Sequence, residues 1–183
     1  MKIQNDNYVK ITTQRVVLDY PHLLKPYVNP KVSSSTPRYG STIIIPEGDT
    51  ITLQRVDEGI KETISRFKLN QNNLQLPLQD GNVKHPYDSL YRNCMFFYAS
   101  SELKPKVVDT KIQEIKYRYD EFERGTYAKV SLILVPYDYN NKCGISMKLE
   151  NVQNFPHNKL FELRSKPEDD FVVEEDEEDD VED

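Results

Sequence analysis

Two stretches of alternating polarity, joined by a short turn signal, constrain the fold of this chain more than any other feature. Within residues 127–139, every second position from Val130 to Leu134 is apolar, which is the pattern of a β-strand with one face in a core. After Asn140-Asn141, residues 142–149 alternate again. Two such strands separated by a two-residue turn predict a long β-hairpin.

One amphipathic helix is predicted behind Asp49, whose carboxylate suits an N-cap. Its apolar stripe consists of Ile51, Val56, Ile60, Ile64 and Phe67. Further strands are predicted over residues 8–18, 38–45, 94–100 and 107–108, whereas the proline-rich residues 19–37 and the polar residues 69–93 predict connections with little regular structure. Five or six strands with one helix, and no regular alternation of strand and helix, argue against a doubly wound fold. A mainly β, curved barrel of the OB-fold type is the natural candidate.

The charge is divided sharply along the sequence. Residues 168–183 hold 12 of the 30 acidic residues and none of the 24 basic ones, so residues 1–167 keep 18 acids against 24 bases, a net charge of +6. A block of like charge stays solvated, which predicts a disordered acidic tail at 168–183 behind a single basic domain at 1–167. The basic domain favours a polyanionic partner such as nucleic acid.

Signals for membranes, enzymes and metal sites are weak in this sequence. No apolar run approaches the ~18 residues needed to span a bilayer, and the first residues lack the apolar segment of a secretory signal, so an intracellular protein is expected. The sequence has no glycine-rich phosphate loop, and its three histidines have no partner at ligand spacing. Cys94 and Cys143 are expected to be packing residues. We therefore expect no catalytic residue, no cofactor and no metal.

Tyrosine beside a basic residue is the recurrent local pattern. The chain has 12 tyrosines and no tryptophan, and pairs such as Arg38-Tyr39 and Tyr91-Arg92 recur. Aromatic rings stack on the bases of single-stranded nucleic acid while cations meet its phosphates. Any one tyrosine could equally be structural, because tyrosine is a good strand former. The group as a whole favours binding to single strands.

Several segments, taken in order, resemble the phage single-stranded DNA-binding proteins that were long catalogued as a bacteriophage domain of unknown function. The matching segments are 37–46 with Asp49-Thr50, 77–81, 97–101 with 104–109, 127–139, and 144–153. The resemblance implies an OB-fold that coats single-stranded DNA without sequence preference during phage replication or recombination, in the cytoplasm of an infected bacterial cell. It also implies an acidic C-terminal tail. The chain departs from the family at Glu47-Gly48, where relatives often carry a basic or small residue, so this loop is a weaker candidate for phosphate contact.

We predict a non-enzymatic single-stranded DNA-binding protein with DNA lying across the curved sheet. Aromatic side chains would stack on bases and basic side chains would neutralise phosphates. The predicted DNA-contacting residues are Arg15, Arg38, Tyr39, Phe97, Tyr98, Lys104, Lys106, Lys129, Tyr137, Tyr139 and Lys142. Which of the aromatic residues face DNA stays open, because a one-residue slip in register exchanges the two faces of a strand.

The acidic tail is predicted to compete with DNA for the basic domain and to recruit phage or host replication proteins. The tail residues assigned to partner binding are Phe171, Glu174, Glu175, Asp176, Glu177, Glu178, Asp179, Asp180, Glu182 and Asp183. An alternative is a protein-interaction module or DNA mimic, whose tail occupies a basic site on another protein. A metal-dependent nuclease would need an acidic cluster that the sequence does not supply.

Overall fold

The computed structural model describes residues 8–31, 35–115, 122–139 and 142–155. The acidic tail, its Phe171 and the turn residues Asn140 and Asn141 lie outside the described residues. In chain order the elements are β1 (Val9–Thr12), β2 (Val16–Tyr27), β3 (Arg38–Ile45), α1 (Thr50–Phe67), β4 (Gln79–Asp80), α2 (Gly81–Lys84), a 3₁₀ turn (Ser89–Tyr91), β5 (Met95–Ser101), β6 (Lys106–Val108), β7 (Thr126–Tyr139) and β8 (Lys142–Phe155). None of the helices in these ranges is long and apolar enough to cross a membrane.

The five longest of these strands close into a barrel. β2 pairs with β3, β3 with β5, β7 with β8 and β7 with β2, all antiparallel, and the parallel pairing of β5 with β8 completes the ring. This closed ring confirms the OB-fold architecture predicted from the sequence. The described residues contain eight strands rather than five or six, because β1, β4 and β6 add two to four residues each alongside β7, β5 and β8.

The hairpin that dominates the sequence pattern supplies much of the core. Val130, Leu132 and Leu134 of β7 are fully buried and face the inside of the barrel, as predicted. On β8 the inward set runs to Leu149 and then resumes at Val152, because a bulge shifts the register between β7 and β8. That extra residue increases the local bend of the hairpin, which helps it wrap around the barrel.

Helix α1 packs against β1 and β7, and its N-cap is Asp49, as predicted. The Asp49 carboxylate accepts a hydrogen bond from the Thr52 amide at 2.9 Å. Val56 and Ile60 are buried in the main core. The outer members of the predicted apolar stripe are wrong as core positions, because Ile51 and Phe67 are exposed at the two ends of the helix.

Two arginines of α1 also reach the outer edge of β1. Arg55 Nη1 donates to the Thr12 carbonyl at 2.7 Å, and Arg66 Nη1 donates to the Tyr8 carbonyl at 3.5 Å. β1 pairs with β7 along its other edge. The helix therefore supplies hydrogen-bond donors where a further strand would otherwise supply them.

The first part of the chain departs from the prediction. The predicted single strand over 8–18 is two strands, and β2 continues through Pro21 and Pro26 into residues predicted to be a connection. The pairing of β2 with β3 shifts register twice, between Asp19 and His22 and again before Tyr27. Prolines are tolerated in strands at such irregularities, where the ladder does not need their missing N–H. Bulges also break the alternation by which a strand is recognised in a sequence.

The excursion over residues 69–93 carries β4, α2 and the 3₁₀ turn. Leu90 and Tyr91 are buried against Ile44 and Phe96 on the outer surface of β3 and β5. The excursion therefore covers the part of this outer surface nearest to α1. Among the described residues nothing covers the part near the start of β3, and that is where the candidate site lies.

Candidate nucleic-acid interface

An aromatic and basic surface lies on the outer face of β2, β3 and β5. Tyr27 of β2 pairs with Arg38 of β3, and Tyr98 of β5 pairs with Thr42 of β3. These side chains therefore come from three adjacent strands. We call His22, Tyr27, Arg38 and Tyr98 the platform. β3 and β5 are the second and third strands of the ring, which form the oligonucleotide-binding face in OB-folds.

The rings of the platform are accessible and lie close to one another. Tyr98 is 52% exposed and Tyr27 is 46% exposed. The His22 and Tyr27 ring centroids are 5.1 Å apart with an interplanar angle of 32°. Burial raises the pKa of Tyr98, Tyr27 acts in the same direction, and the nearby Arg38 guanidinium opposes them. The Tyr98 phenol is therefore neutral at physiological pH and can approach a phosphate chain without repulsion.

Arg38 is held in a defined orientation at the edge of the platform. Its Nε donates to Ser100 Oγ at 3.2 Å, and its Nη1 lies 3.1 Å from Glu102 Oε1. Both side chains of this ion pair are about half exposed. A phosphate can therefore replace the Glu102 carboxylate at the guanidinium without unburying a charge.

Gly40 keeps the centre of the platform flat. It pairs with His22 on one side and with Ser100 on the other. A Cβ atom at this position would lie 2.5 Å from the carbonyl oxygen of Ala99. A side chain there would push β3 and β5 apart, so glycine allows the two strands to approach and leaves a shallow surface between the rings.

The structure corrects the prediction for Phe97. This residue is 0% exposed and belongs to the barrel core, so it cannot contact DNA. Its neighbour Tyr98 carries the exposed ring, as the alternation of a strand requires. Tyr39 is half-buried and shares the inward row of β3 with Ser41 and Ile43, whereas Arg38 lies on the outer row.

The predicted basic residues are divided between different parts of the barrel. Lys104 and Lys106 are exposed and follow the end of β5, the end that lies beside Arg38. Lys129 is half-buried and pairs with Gln153 of β8. The exposed Arg15 places its guanidinium 4.5 Å from the centroid of the Phe155 ring. Arg15 and Lys129 thus lie on the β7–β8 side of the barrel and not on the platform.

Three more predicted residues meet near the tip of the β7–β8 hairpin. Tyr139 is largely exposed and pairs with the exposed Lys142. Tyr137 packs over Gly144, where an added Cβ would lie 2.5 Å from its hydroxyl oxygen, and that hydroxyl donates to Gln75 Oε1 at 3.0 Å. Tyr137 therefore fastens the segment after α1 to the hairpin, and Tyr139 is the accessible ring of the two.

Sequence reasoning missed His22, Tyr27 and Tyr20 as site residues. All three lie in the proline-rich segment that was predicted to be a connection, and His22 was expected to be a loop residue. The available signal was the density of aromatic and basic residues in this segment, which also includes Lys25. Because the sequence does not reveal the bulges of β2, no sequence pattern assigns these side chains to one face.

A buried charged network borders the platform. Asp19 is fully buried, and its carboxylate accepts hydrogen bonds from the Tyr91 hydroxyl at 2.6 Å and from Arg124 Nε at 2.7 Å. Arg124 also pairs with Asp88. Burial and the hydrogen bond to Asp19 raise the pKa of Tyr91, and the two carboxylates raise the pKa of Arg124 against the opposing effect of burial. The network joins β2 to the excursion that covers the rest of this face.

The described ranges contain no group of three or more His, Cys, Asp or Glu side chains that could hold a metal ion. Cys94 and Cys143 are both free thiols. Burial, the largest influence, raises the pKa of Cys94, so its thiol is protonated at neutral pH and a poor nucleophile.

The chain matches a protein family and is similar in fold to solved structures. Residues 9–182 match the protein family described as Enterobacter phage Enc34, ssDNA-binding protein. A single-stranded DNA-binding protein from bacteriophage Enc34, solved in complex with ssDNA, aligns with a TM-score of 0.70 at 20% identity, covering 81% of this chain and 86% of that chain. The single-stranded DNA-binding protein gp2.5 of bacteriophage T7 aligns with a TM-score of 0.59 at 17% identity, covering 86% and 98% of the two chains. No curated protein sequence matches.

Proposed function

Because this chain belongs to the family of the Enterobacter phage Enc34 ssDNA-binding protein, we propose that it binds single-stranded DNA across the platform. The observation that carries the proposal is the placement of Tyr27, Arg38 and Tyr98 on the outer face of adjacent ring strands. Family membership also agrees with the prediction of a non-enzymatic protein, since the family is one of DNA-binding proteins.

The platform contacts suit binding without sequence preference. Stacking of a base on an aromatic ring contributes about 1–3 kcal/mol and tolerates every base, because each base has a π-face. Arg38 neutralises a phosphate, and the exposed Lys104 and Lys106 extend positive charge beyond the end of β5. Lys142 and the Tyr139 ring at the hairpin tip extend the path in the other direction. Such a protein would coat single strands during phage DNA replication or recombination in the infected bacterial cell.

The first test is a titration of a fluorescein-labelled 30-mer of dT and of a matched duplex at several salt concentrations. The slope of log K against log salt is about −0.7 for each phosphate neutralised on a single strand. Neutralisation of three to five phosphates would give a slope of roughly −2 to −3.5. We expect single-strand binding with a slope in this range, and Arg38→Gln should make it shallower by about 0.7.

A matched control sharpens this test. Lys61→Gln removes a positive charge from the exposed face of α1, away from the platform, and should leave the slope unchanged. Absence of single-strand binding, or a salt-independent affinity, would contradict the proposed function. An equal change of slope in the two variants would show that net charge, rather than the platform, determines binding.

The acidic tail is the second part of the proposal. With a charge of −12 attached to a domain of charge +6, residues 168–183 are at high effective concentration near the basic surface. We propose that the tail competes with DNA phosphates and, once displaced, presents Phe171 to a replication protein. The boundary at residue 167 and both tail roles rest on the sequence pattern.

Truncation after Pro167 tests the competition. We expect tighter binding of dT 30-mer at low salt and a smaller difference as salt screens the tail. Equal affinities at low salt would remove the autoinhibitory role. Phe171→Ala should preserve DNA binding and weaken capture of phage or host replication proteins, because an aromatic anchor acts mainly through burial in its partner.

A further inference from the structure

Tyr20 has an unusual backbone conformation next to the platform. It lies in the β2 bulge between Asp19 and His22, with φ of +47°, a region that bulky residues rarely adopt. Its side chain is nevertheless 69% exposed. An exposed aromatic ring contributes little packing to offset such a conformation, and strain of this kind is typical of functional positions.

The buried network holds this bulge in place. Asp19, the residue before Tyr20, is fixed by hydrogen bonds from Tyr91 and Arg124. The Arg124 guanidinium also lies 5.9 Å from the centroid of the Tyr20 ring. Asp19 pairs with Thr42, and Thr42 pairs with Tyr98. The backbone next to Tyr20 therefore lies about two strand spacings, roughly 10 Å, from the backbone of Tyr98. The ring is thus presented at the border of the platform.

Arg124 also lines a cleft. Its volume is about 540 Å³, and residues 84–89 together with Arg124 line it. Tyr87 in this segment is fully exposed, and the His85 ring stacks on Tyr91 with centroids 4.0 Å apart. A cleft of this volume is large enough for a nucleotide-sized ligand.

The charge of Arg124 is compensated, and aromatic surface is abundant around it. Arg124 already pairs with the carboxylates of Asp19 and Asp88, so it offers a phosphate little uncompensated charge. Tyr20 and Tyr87 are accessible, and neither is used by the platform. This composition suits contact with bases rather than with phosphates.

We propose that Tyr20 and Tyr87 form a second stacking subsite, which takes a base of a single strand that has already crossed the platform. This inference rests on the proposed function and extends it to a site with its own chemistry. The platform combines stacking with charge neutralisation at Arg38, whereas the second subsite acts by stacking alone. It therefore lengthens the DNA footprint without steepening its salt dependence.

Oligonucleotide length separates the two sites. We expect Tyr20→Ala to weaken binding of a dT 20-mer by about 5- to 150-fold, the range for loss of one stacked base. Its affinity for a dT trimer, which fills the platform first, should match that of the unaltered protein. The salt slope should be unchanged because no cation is removed, and Tyr87→Ala should show the same dependence on length.

Three controls keep the result interpretable. Tyr20→Phe retains the ring and should bind like the unaltered protein, and Tyr20→Gly, which accepts φ of +47° without strain, should fold and still lose affinity for the 20-mer. Tyr8→Ala alters a tyrosine that is 44% exposed on the α1 side of the barrel and should have no effect. Unchanged affinity of the Tyr20 variants at every length would overturn the inference, as would an equal loss for the trimer. If the unaltered protein binds no single strand, the proposed function itself fails.

Discussion

Neighbouring residues on β5 offer a direct experiment on which face of the sheet binds DNA. Phe97 is fully buried in the barrel, and Tyr98 has half of its surface exposed on the platform. The two residues are adjacent in sequence and similar in size, so substitutions at both sites perturb the same strand. We predict that substitution of Phe97 lowers stability and spares DNA affinity, whereas substitution of Tyr98 lowers DNA affinity and spares stability.

The expected magnitudes follow from burial. Phe97→Ala removes a ring from a closed core and should lower the free energy of unfolding by about 3–5 kcal/mol. Tyr98→Ala should cost little stability, because half of its ring is already hydrated. Loss of one stacked base should weaken binding of single strands by about 1–3 kcal/mol, an increase in Kd of about 5- to 150-fold.

Urea denaturation and oligo-dT titration measure the two quantities separately. Phe97→Leu is the informative core variant, since it should fold, lose less than about 1.5 kcal/mol of stability and keep its DNA affinity. Tyr98→Phe retains the ring and should bind DNA like the unaltered protein. The assignment of faces would be refuted if Phe97→Leu weakened DNA binding more than Tyr98→Ala.

Three further predictions concern the surroundings of the platform. Gly40→Ala should lower the free energy of unfolding by about 1–3 kcal/mol in urea denaturation, because its Cβ would meet the Ala99 carbonyl oxygen at 2.5 Å; unchanged stability would contradict this packing. Glu102→Gln should raise affinity for single strands about 1.4- to fivefold at low salt by releasing Arg38 from an exposed ion pair worth about 0.2–1 kcal/mol, and a titration showing weaker binding would refute this competition. Tyr91 has a pKa raised above its unfolded value, so its contribution to stability is fully present below about pH 10 and is lost as pH rises further, at about 1.4 kcal/mol per pH unit. Denaturation series above pH 10 should show a steeper loss for the unaltered protein than for Tyr91→Phe.

The parts of the fold that the sequence predicted are those with a strict period. The alternation in β7 and β8 and the helical spacing of Val56 and Ile60 reflect burial on one face, and both predictions are confirmed. The interrupted β2 could not be found in this way. Two register shifts and two prolines remove its period, and the β3 ladder that supports it is a contact between distant parts of the chain.

In the candidate site, too, local sequence predicted some residues, and others depend on pairing between distant strands. Arg38 and Tyr98 were predicted from aromatic and basic composition, and the structure places both on one face. Composition could not separate Phe97 from Tyr98, since the choice depends on the register of β5 against β3. Tyr27 joins the site because β2 stays paired with β3 after its bulges, which depends on tertiary pairing rather than on local sequence.

The two arginines that α1 extends to the edge of β1 have a further consequence if the protein coats DNA as proposed. Copies bound side by side on one strand are held at a high local concentration, and an unprotected strand edge under such crowding would pair with the next copy and start irreversible aggregation. Arg55 and Arg66 donate to the outward carbonyls of Thr12 and Tyr8, so these two acceptors of the edge are already satisfied within their own chain. If copies bind side by side as the proposed function implies, a neighbouring copy would meet fewer free acceptors along this edge.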